Sequence, residues 1–85
     1  MKIQTSKGKE YTAIYAEGPT RLSGTLMIKI QDSRKLAVIA REFDGVDTVK
    51  RMEDETAAEL WEGYTIITMV RRTDENEVIV ELAKP

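Results

Sequence analysis

The chain of 85 residues contains neither cysteine nor histidine, and these two absences exclude much of the chemistry open to a small protein. Without cysteine there is no disulfide, no thiolate nucleophile and no thiolate ligand for zinc. Without histidine the commonest general base and the commonest metal ligand are missing, and no serine has its usual activating partner. We therefore expect a protein that is not an enzyme and that binds neither a metal ion nor a cofactor.

Acidic residues are plentiful, but their spacing does not indicate a site. The runs at 53–55 and 74–75 could chelate calcium, yet neither has the spacing of a calcium-binding loop, so we interpret both as solvated loops. A hydrolase that uses two carboxylates stays open, because such pairs are assembled in space by the fold. The sequence singles out no such pair.

Charge and hydropathy limit the partners. The 13 basic and 15 acidic residues give a net charge of -2, which argues against extended nucleic-acid binding. No apolar run approaches the roughly 20 residues of a membrane span, so no membrane partner is expected. The first ten residues, MKIQTSKGKE, lack a hydrophobic signal segment, and together with the missing cysteine this predicts a cytoplasmic protein. The length predicts one domain, 1–85.

Alternating apolar and polar residues predict three strands before residue 32. The first two, 1–5 and 10–16, form a hairpin around a turn at 6–9. If Thr5 lies opposite Glu10, Tyr11 and Tyr15 lie on the face opposite to Ile3. The third strand covers 25–31.

One helix is predicted after the third strand. Leu36, Ile39 and Phe43 recur at the spacing of one helix face. Asp32 or Ser33 is the expected N-cap, and a glycine at position 45 suits the end of the helix.

Three further strands are predicted at 46–52, at about 60–72 and at 77–83. The acidic run 53–59 between the first two is either a loop or one helical turn, and we favour the loop. The fold class is therefore α+β, a small, mainly antiparallel sheet of order β-β-β-α-β-β-β with the helix packed on one face.

The last hairpin predicts a sheet with two apolar faces. Pairing Arg72 with Glu77 separates Val70 and Ile79 from the residues that face the helix. Because one helix covers one face, the sheet either curls into a barrel or sandwich or docks its second face on a partner, most simply another copy. We favour the homo-oligomer, with an interface that consists of Tyr11, Tyr15, Ile66, Val70 and Ile79.

The stretch LWEGYT holds the only tryptophan, Trp61, close to Tyr64. Gly63 between them is typical of a bulge in a strand. Trp61 either fills one end of the core, which we favour because large aromatics dominate core burial, or rims a ligand pocket together with Tyr64.

Two basic pairs end predicted strands, at 50–51 and at 71–72. An arginine fork can hold a phosphate through two hydrogen bonds, and a nearby aromatic ring can stack on a base. The alternative for any one arginine is a cross-strand ion pair, such as Arg72 with Glu77. The predicted ligand-binding set is Trp61, Tyr64, Arg71 and Arg72.

The stretches YAEGPTRLSGTLMIKIQDSRKLAVIAREFDG and LWEGYTIITMVRR resemble small β-rich proteins encoded by phages and prophages of Gram-positive bacteria. The resemblance implies one of two roles. The first is a compact homo-oligomeric counter-defence protein in the host cytoplasm that sequesters a host nucleotide signal without cleaving it. The second is a minor component of a virion or tail. A third hypothesis, an acidic decoy for a host nuclease or regulator, depends only on the run 53–59. We favour the sequestering role.

Overall fold

A computed structural model describes residues 1–18, 24–53, 57–62 and 66–84. These residues form seven strands and one helix: β1 (Lys2–Thr5), β2 (Glu10–Glu17), β3 (Thr25–Gln31), α1 (Leu36–Phe43), β4 (Thr48–Glu53), β5 (Ala57–Glu62), β6 (Ile66–Asp74) and β7 (Glu77–Ala83). All strands belong to one antiparallel sheet of order β5-β4-β1-β2-β3-β7-β6. The α+β class, with an antiparallel sheet and one helix on one face, is confirmed.

The predicted strand at 60–72 is two strands. β5 pairs with β4 and β6 pairs with β7, so the two lie at opposite edges of the sheet. The predicted loop at 53–59 is wrong at both ends, since Glu53 belongs to β4 and residues 57–59 belong to β5, and residues 54–56 lie outside the described part. Ala-Ala-Glu has little intrinsic preference for a strand, and pairing with β4 overrides that preference. Among the described residues the two edge strands do not pair with each other, so the sheet is open and not closed into a barrel.

The first hairpin has a different register from the predicted one. Gln4, not Thr5, lies opposite Glu10, and Ile3 lies opposite Tyr11. Gly8, with φ of 84°, allows the tight turn, in which the Thr5 amide donates to the Lys9 carbonyl at 2.9 Å. A shift of one residue moves every side chain to the other face, so the predicted place of Tyr11 on the second face is wrong. Tyr11 is buried in the core beside Ile3.

The helix begins at Leu36, farther along the chain than the predicted N-caps Asp32 and Ser33 imply. Lys35 is the residue before α1 and its side chain makes no capping hydrogen bond. Asp32 instead accepts from the Arg34 amide at 2.9 Å, and it lies four positions before the first residue of the helix, Leu36. The helix ends at Phe43 as predicted, and its ring stacks on Tyr11 with the two ring centroids 4.9 Å apart. The helix is therefore fastened to the sheet by an aromatic pair.

One contiguous core lies between α1 and the covered face of the sheet. It contains residues from five strands, the helix and the loop after the helix: Ile3, Tyr11, Ala13, Leu26, Ile28, Ile30, Ile39, Phe43, Val46, Val49, Val78, Val80 and Leu82. Alternate residues of β3 and β7 face each other here, as in the register pair of Ile28 with Val80. Burial of this set is the main source of stability.

The last hairpin also has an unexpected register. Arg72 lies opposite Val78 and Val70 lies opposite Val80, with irregularities on either side of this paired segment. Val70 therefore packs against the core, and its predicted place on the second face is wrong. Ile79 does lie on the second face, opposite Arg71.

Thr5 provides a test of this packing. Its side chain is buried opposite Val49, and its hydroxyl has no hydrogen-bond partner among the described residues. A buried hydroxyl without a partner loses its hydration and gains nothing in return. We expect Thr5→Val to raise the free energy of unfolding by about 1 kcal/mol in urea titrations.

The matched control for Thr5→Val is Thr12→Val on the exposed side of β2. It adds the same methyl group without burying it, so we expect a change below about 0.5 kcal/mol. Equal effects of the two substitutions would mean that strand preference, and not the buried hydroxyl, determines the result.

Candidate ligand-binding surface

The sheet face opposite the helix, called the second face below, has one row of residues that crosses four strands. Tyr15 of β2 lies opposite Lys29 of β3, Lys29 opposite Ile79 of β7, and Ile79 opposite Arg71 of β6. We call these four residues the cross-strand row. It places an aromatic ring and two cations in line on a surface that the helix does not cover.

An irregularity in β2 brings Tyr15 into this row. Ala13 lies opposite Ile30 and the next paired residue is Tyr15, so Ile14 is an extra residue in the strand. Such a bulge puts two residues opposite one and reverses the alternation beyond it. Ala13 consequently lies in the core and Tyr15 on the second face. Ile14 and Tyr15 are 42% and 38% exposed, which is high for large apolar side chains.

Lys29 lies along the second face and is not extended into solvent. Its Nζ is 3.4 Å from Glu77 Oε2 and 5.8 Å from the centroid of the Tyr15 ring. The Lys29 and Glu77 side chains are only 21% and 26% exposed. The ammonium group is thus shared between a carboxylate and an aromatic face, a geometry that favours a cation. Neither Lys29 nor Glu77 was among the predicted site residues.

Ile79 is less available than the sequence suggests. It lies on the second face but is only 6% exposed. Its neighbours in the row, Lys29 and Arg71, have long alkyl stems of the kind that cover apolar surface while the charged end stays in water. The second face is therefore only partly apolar, and among the side chains that the structure describes its exposed apolar groups lie at the Tyr15 end.

The two predicted arginines lie on opposite faces of the sheet. Neighbouring residues of a strand alternate in direction, so Arg71 is in the cross-strand row and Arg72 is on the covered side. Arg72 donates hydrogen bonds to the backbone carbonyls of Asp32 at 2.8 Å and Glu75 at 3.1 Å, and to that of Arg34. It ties the end of β6 to the loop before α1. The structure does not bring Arg71 and Arg72 together as one phosphate-binding fork, and Glu77 pairs with Lys29 and not with Arg72.

The two predicted aromatic side chains, those of Trp61 and Tyr64, lie outside the part of the structure that is described. Trp61 is in β5, opposite Val49, and its side chain is not among those described. β5 and β6 are the two edge strands of the sheet, and only residues 63–65 connect them along the chain. Tyr64 and the side chain of Ile66 also lie outside the described part.

A second cluster of charged residues fastens the helix. Arg34 forms ion pairs with Asp32 Oδ2 at 2.7 Å and with Glu42 Oε2 at 2.6 Å, and the Tyr11 hydroxyl donates to Glu42 Oε1 at 2.8 Å. The hydrogen bonds from Arg34 lower the pKa of both carboxyl groups. Burial raises the pKa of the Tyr11 phenol above its usual range, and the bond to Glu42 raises it further. These groups satisfy one another's hydrogen-bonding requirements, so we assign the cluster a structural role.

Two open hollows lie at the end of the sheet beside this cluster. The first, of about 360 Å³, is lined by Gln31, Asp32, Ser33 and Asn76. The second, of about 510 Å³, is lined by Gln31, Asp74, Glu75, Asn76 and Glu77. Their acidic lining disfavours a phosphate. Among the described residues, no three side chains of the metal-binding types converge.

Comparisons do not place the chain in a family. No model of a known protein family, no curated protein and no solved structure matches it. The described residues contain no helix long and apolar enough to cross a membrane. Function must therefore be inferred from the residues of this chain, and among the surfaces described above the cross-strand row combines an exposed ring with cations.

Proposed function

We propose that the protein is a non-enzymatic binding protein that holds a small phosphate-bearing nucleotide on the cross-strand row. The observation that carries the proposal is the row itself, with the exposed ring of Tyr15 at one end and the exposed Arg71 at the other. A ring offers a stacking platform to a base, and a guanidinium binds a phosphate through two hydrogen bonds.

The dimensions of the row suit a single nucleotide. Three strand spacings of about 4.8 Å separate Tyr15 from Arg71, or about 14 Å between their backbones. Both side chains can reach inward over the row, which shortens the distance between the ring and the guanidinium. A base on Tyr15 therefore places its phosphate between Lys29 and Arg71.

Acidic residues on both sides of the row restrict the ligand further. Glu17 and Glu81 belong to the next row on one side, and Glu77 lies on the other. A phosphate chain that crossed the rows would approach these carboxylates and be repelled. The ligand must lie along the row, which favours a small nucleotide over an extended nucleic acid and agrees with the net charge of -2.

The resemblance to phage-encoded proteins suggests a use for such binding, namely sequestration of a nucleotide signal of host defence. In this proposal the protein acts as a homo-oligomer.

The proposal predicts saturable binding that depends on Arg71. A calorimetric titration would compare cyclic nucleotides, ADP-ribose-type nucleotides and nucleotides with a free terminal phosphate. Loss of a charge-assisted hydrogen bond is worth about 1.5–3 kcal/mol, so we expect Arg71→Ala to weaken binding about ten-fold or more.

The control for Arg71→Ala is Arg41→Ala, which removes one positive charge at a position away from the cross-strand row. Arg41 is exposed on α1, on the other side of the sheet, and Arg41→Ala should change the affinity less than about two-fold. Failure of the unmodified protein to bind any of these nucleotides would overturn the proposal. In that case the adjacent exposure of Ile14 and Tyr15 would favour the second candidate, a virion or tail component that assembles through the second face.

A further inference from the structure

We infer that Glu17 makes the cross-strand row selective for guanine nucleotides. Its carboxylate lies beside the base end of the row, where it can accept the two neighbouring donors that guanine, among the common bases, presents on one edge. The inference rests on the proposed function, since it concerns the base of the same ligand. It assigns Glu17 a role in specificity, whereas the cations of the row hold the phosphate.

Glu17 and Tyr15 lie on the same face of β2. Both follow the bulge, and from Tyr15 onward the pairing with β3 is regular. Tyr15 lies opposite Lys29 in the cross-strand row, and in the next row Glu17 lies opposite Met27. Ala16 between them packs against the core, as alternation requires. Two residues of a strand span about 6.7 Å, so the exposed Glu17 side chain can reach the edge of a base that stacks on Tyr15.

The surroundings of Tyr15 direct the polar edge of the base to Glu17. The preceding residue, Ile14, is 42% exposed and has no side-chain group that could form a hydrogen bond with a base. In the other direction the row continues to Lys29 and Arg71, where the proposed function places the phosphate. Within the described part of the chain, no ion pair occupies the Glu17 carboxylate, so both of its oxygens can accept from a ligand.

A carboxylate distinguishes between bases because it accepts hydrogen bonds and donates none. Guanine offers N1–H and its N2 amino group side by side, and these two donors match the two carboxylate oxygens. Adenine and cytosine each have a ring nitrogen with a lone pair next to the amino group, so the second hydrogen bond is replaced by repulsion between two acceptors. Uracil has a carbonyl on each side of its one N–H. Hydrogen bonds to a charged acceptor are stronger than neutral ones, which makes the difference between the bases measurable.

Pairs of nucleotides that differ only in the base would measure this preference. 5′-GMP and 5′-AMP carry the same phosphate, as do 3′,5′-cyclic GMP and 3′,5′-cyclic AMP, so any repulsion between Glu17 and the phosphate cancels in the ratio of their affinities. We expect calorimetric titration to show binding of the guanine nucleotide about ten-fold more tightly than that of its adenine counterpart. Inosine monophosphate, which keeps N1–H but lacks the amino group, should lie between 5′-GMP and 5′-AMP.

Substitution of Glu17 by glutamine should remove the preference for guanine. The glutamine amide keeps one acceptor oxygen and replaces the other with a donor, so it matches the amino group and N1 of adenine as well as it matches guanine. We expect the ratio of the two affinities to fall below about two-fold in Glu17→Gln.

The matched control is Glu81→Gln. Glu17 and Glu81 both lie opposite Met27, on the two strands that flank β3, so the two glutamates belong to the same row. Each substitution changes the net charge by the same amount, but Glu81 is two strand spacings, about 10 Å, from β2 and from the base. The preference for guanine should persist in Glu81→Gln. Circular dichroism and thermal unfolding would establish that all three proteins are folded.

The possible outcomes separate the inference from the proposed function. Tighter binding of the guanine nucleotide, with the preference lost in Glu17→Gln and kept in Glu81→Gln, supports both. Equal affinity for the two bases, a preference for adenine, or a guanine preference that responds equally to the two substitutions overturns the inference and leaves the proposed function standing. Absence of binding of every one of these nucleotides by the unmodified protein overturns both.

Discussion

Replacing Phe43 with alanine is expected to lower the free energy of unfolding by about 4 kcal/mol. Phe43 is among the largest fully buried side chains and the last residue of the helix. The substitution removes its apolar area from the core, leaves a cavity and abolishes the stacking on Tyr11, a contact at 4.9 Å between ring centroids. Small domains are stable by about 5–15 kcal/mol, so the loss would remove between about a quarter and four fifths of the stability.

Denaturant unfolding would measure the loss in free energy of unfolding caused by Phe43→Ala, and two further variants provide the comparison. Phe43→Leu keeps an apolar group in the cavity and should lower the free energy of unfolding by only about 1–2 kcal/mol, which leaves a folded protein to compare. Val38→Ala, on the exposed side of the same helix, should change it by less than about 0.5 kcal/mol. Similar losses in Phe43→Ala and Val38→Ala would mean that the helix is not fastened through its buried face.

The sequence predicts the elements of this fold better than their registers. The spacing of Ile39 and Phe43 identifies the buried side of the helix, and the alternation in β3 identifies its core residues. Register, however, depends on how a turn closes, and a shift of one residue moves Tyr11 from the predicted second face into the core. For a different reason, the sequence does not predict β5 as a separate strand. Its residues 60–62 fall in the predicted strand 60–72, whereas its first residues, 57–59, favour a strand only when β4 is present.

The candidate site was only partly predictable for the same physical reasons. Arg71 was identified from its charge at the end of a strand, and Tyr15 was placed on the second face. Strict alternation puts Tyr11 and Tyr15 on one face, but the extra residue Ile14 separates them. Lys29 and Glu77 are 48 positions apart in the sequence, and only the pairing of β3 with β7 brings them together. No local pattern indicates such a pair.

Arg34→Ala is expected to destabilise the protein in a pH-dependent way. At pH 7 the substitution leaves two carboxylates without their cation, and their side chains are only 8% and 16% exposed for Asp32 and Glu42. Removing one partner of a buried ion pair costs about 3–5 kcal/mol, and because Arg34 itself is 46% exposed we expect about 2 kcal/mol. Urea titrations at pH 7 would measure this loss.

Lowering the pH should reduce the difference between the two proteins. The folded-state pKa values of Asp32 and Glu42 lie below their ordinary values, so their contribution to stability is present above about pH 4 and is lost as the pH falls through the folded values. Arg34→Ala lacks the ion pairs that provide this contribution, so its stability does not lose it as the pH falls. We expect the difference in free energy of unfolding to fall from about 2 kcal/mol at pH 7 to below about 1 kcal/mol at pH 3.

Arg41→Ala is the control for this pH dependence, because Arg41 is exposed on the same helix and its loss removes the same charge from the chain. Its effect should stay small throughout, since the attraction between a solvated arginine and distant carboxylates is screened by salt. A difference for Arg34→Ala that stays constant from pH 7 to pH 3 would show that Arg34 stabilises the loop by packing alone. If the difference in free energy of unfolding shrinks only for Arg34→Ala, the stabilisation comes from the ion pairs of Arg34 with Asp32 and Glu42. These pairs belong to the cluster that holds the helix on the covered face of the sheet and leaves the second face open.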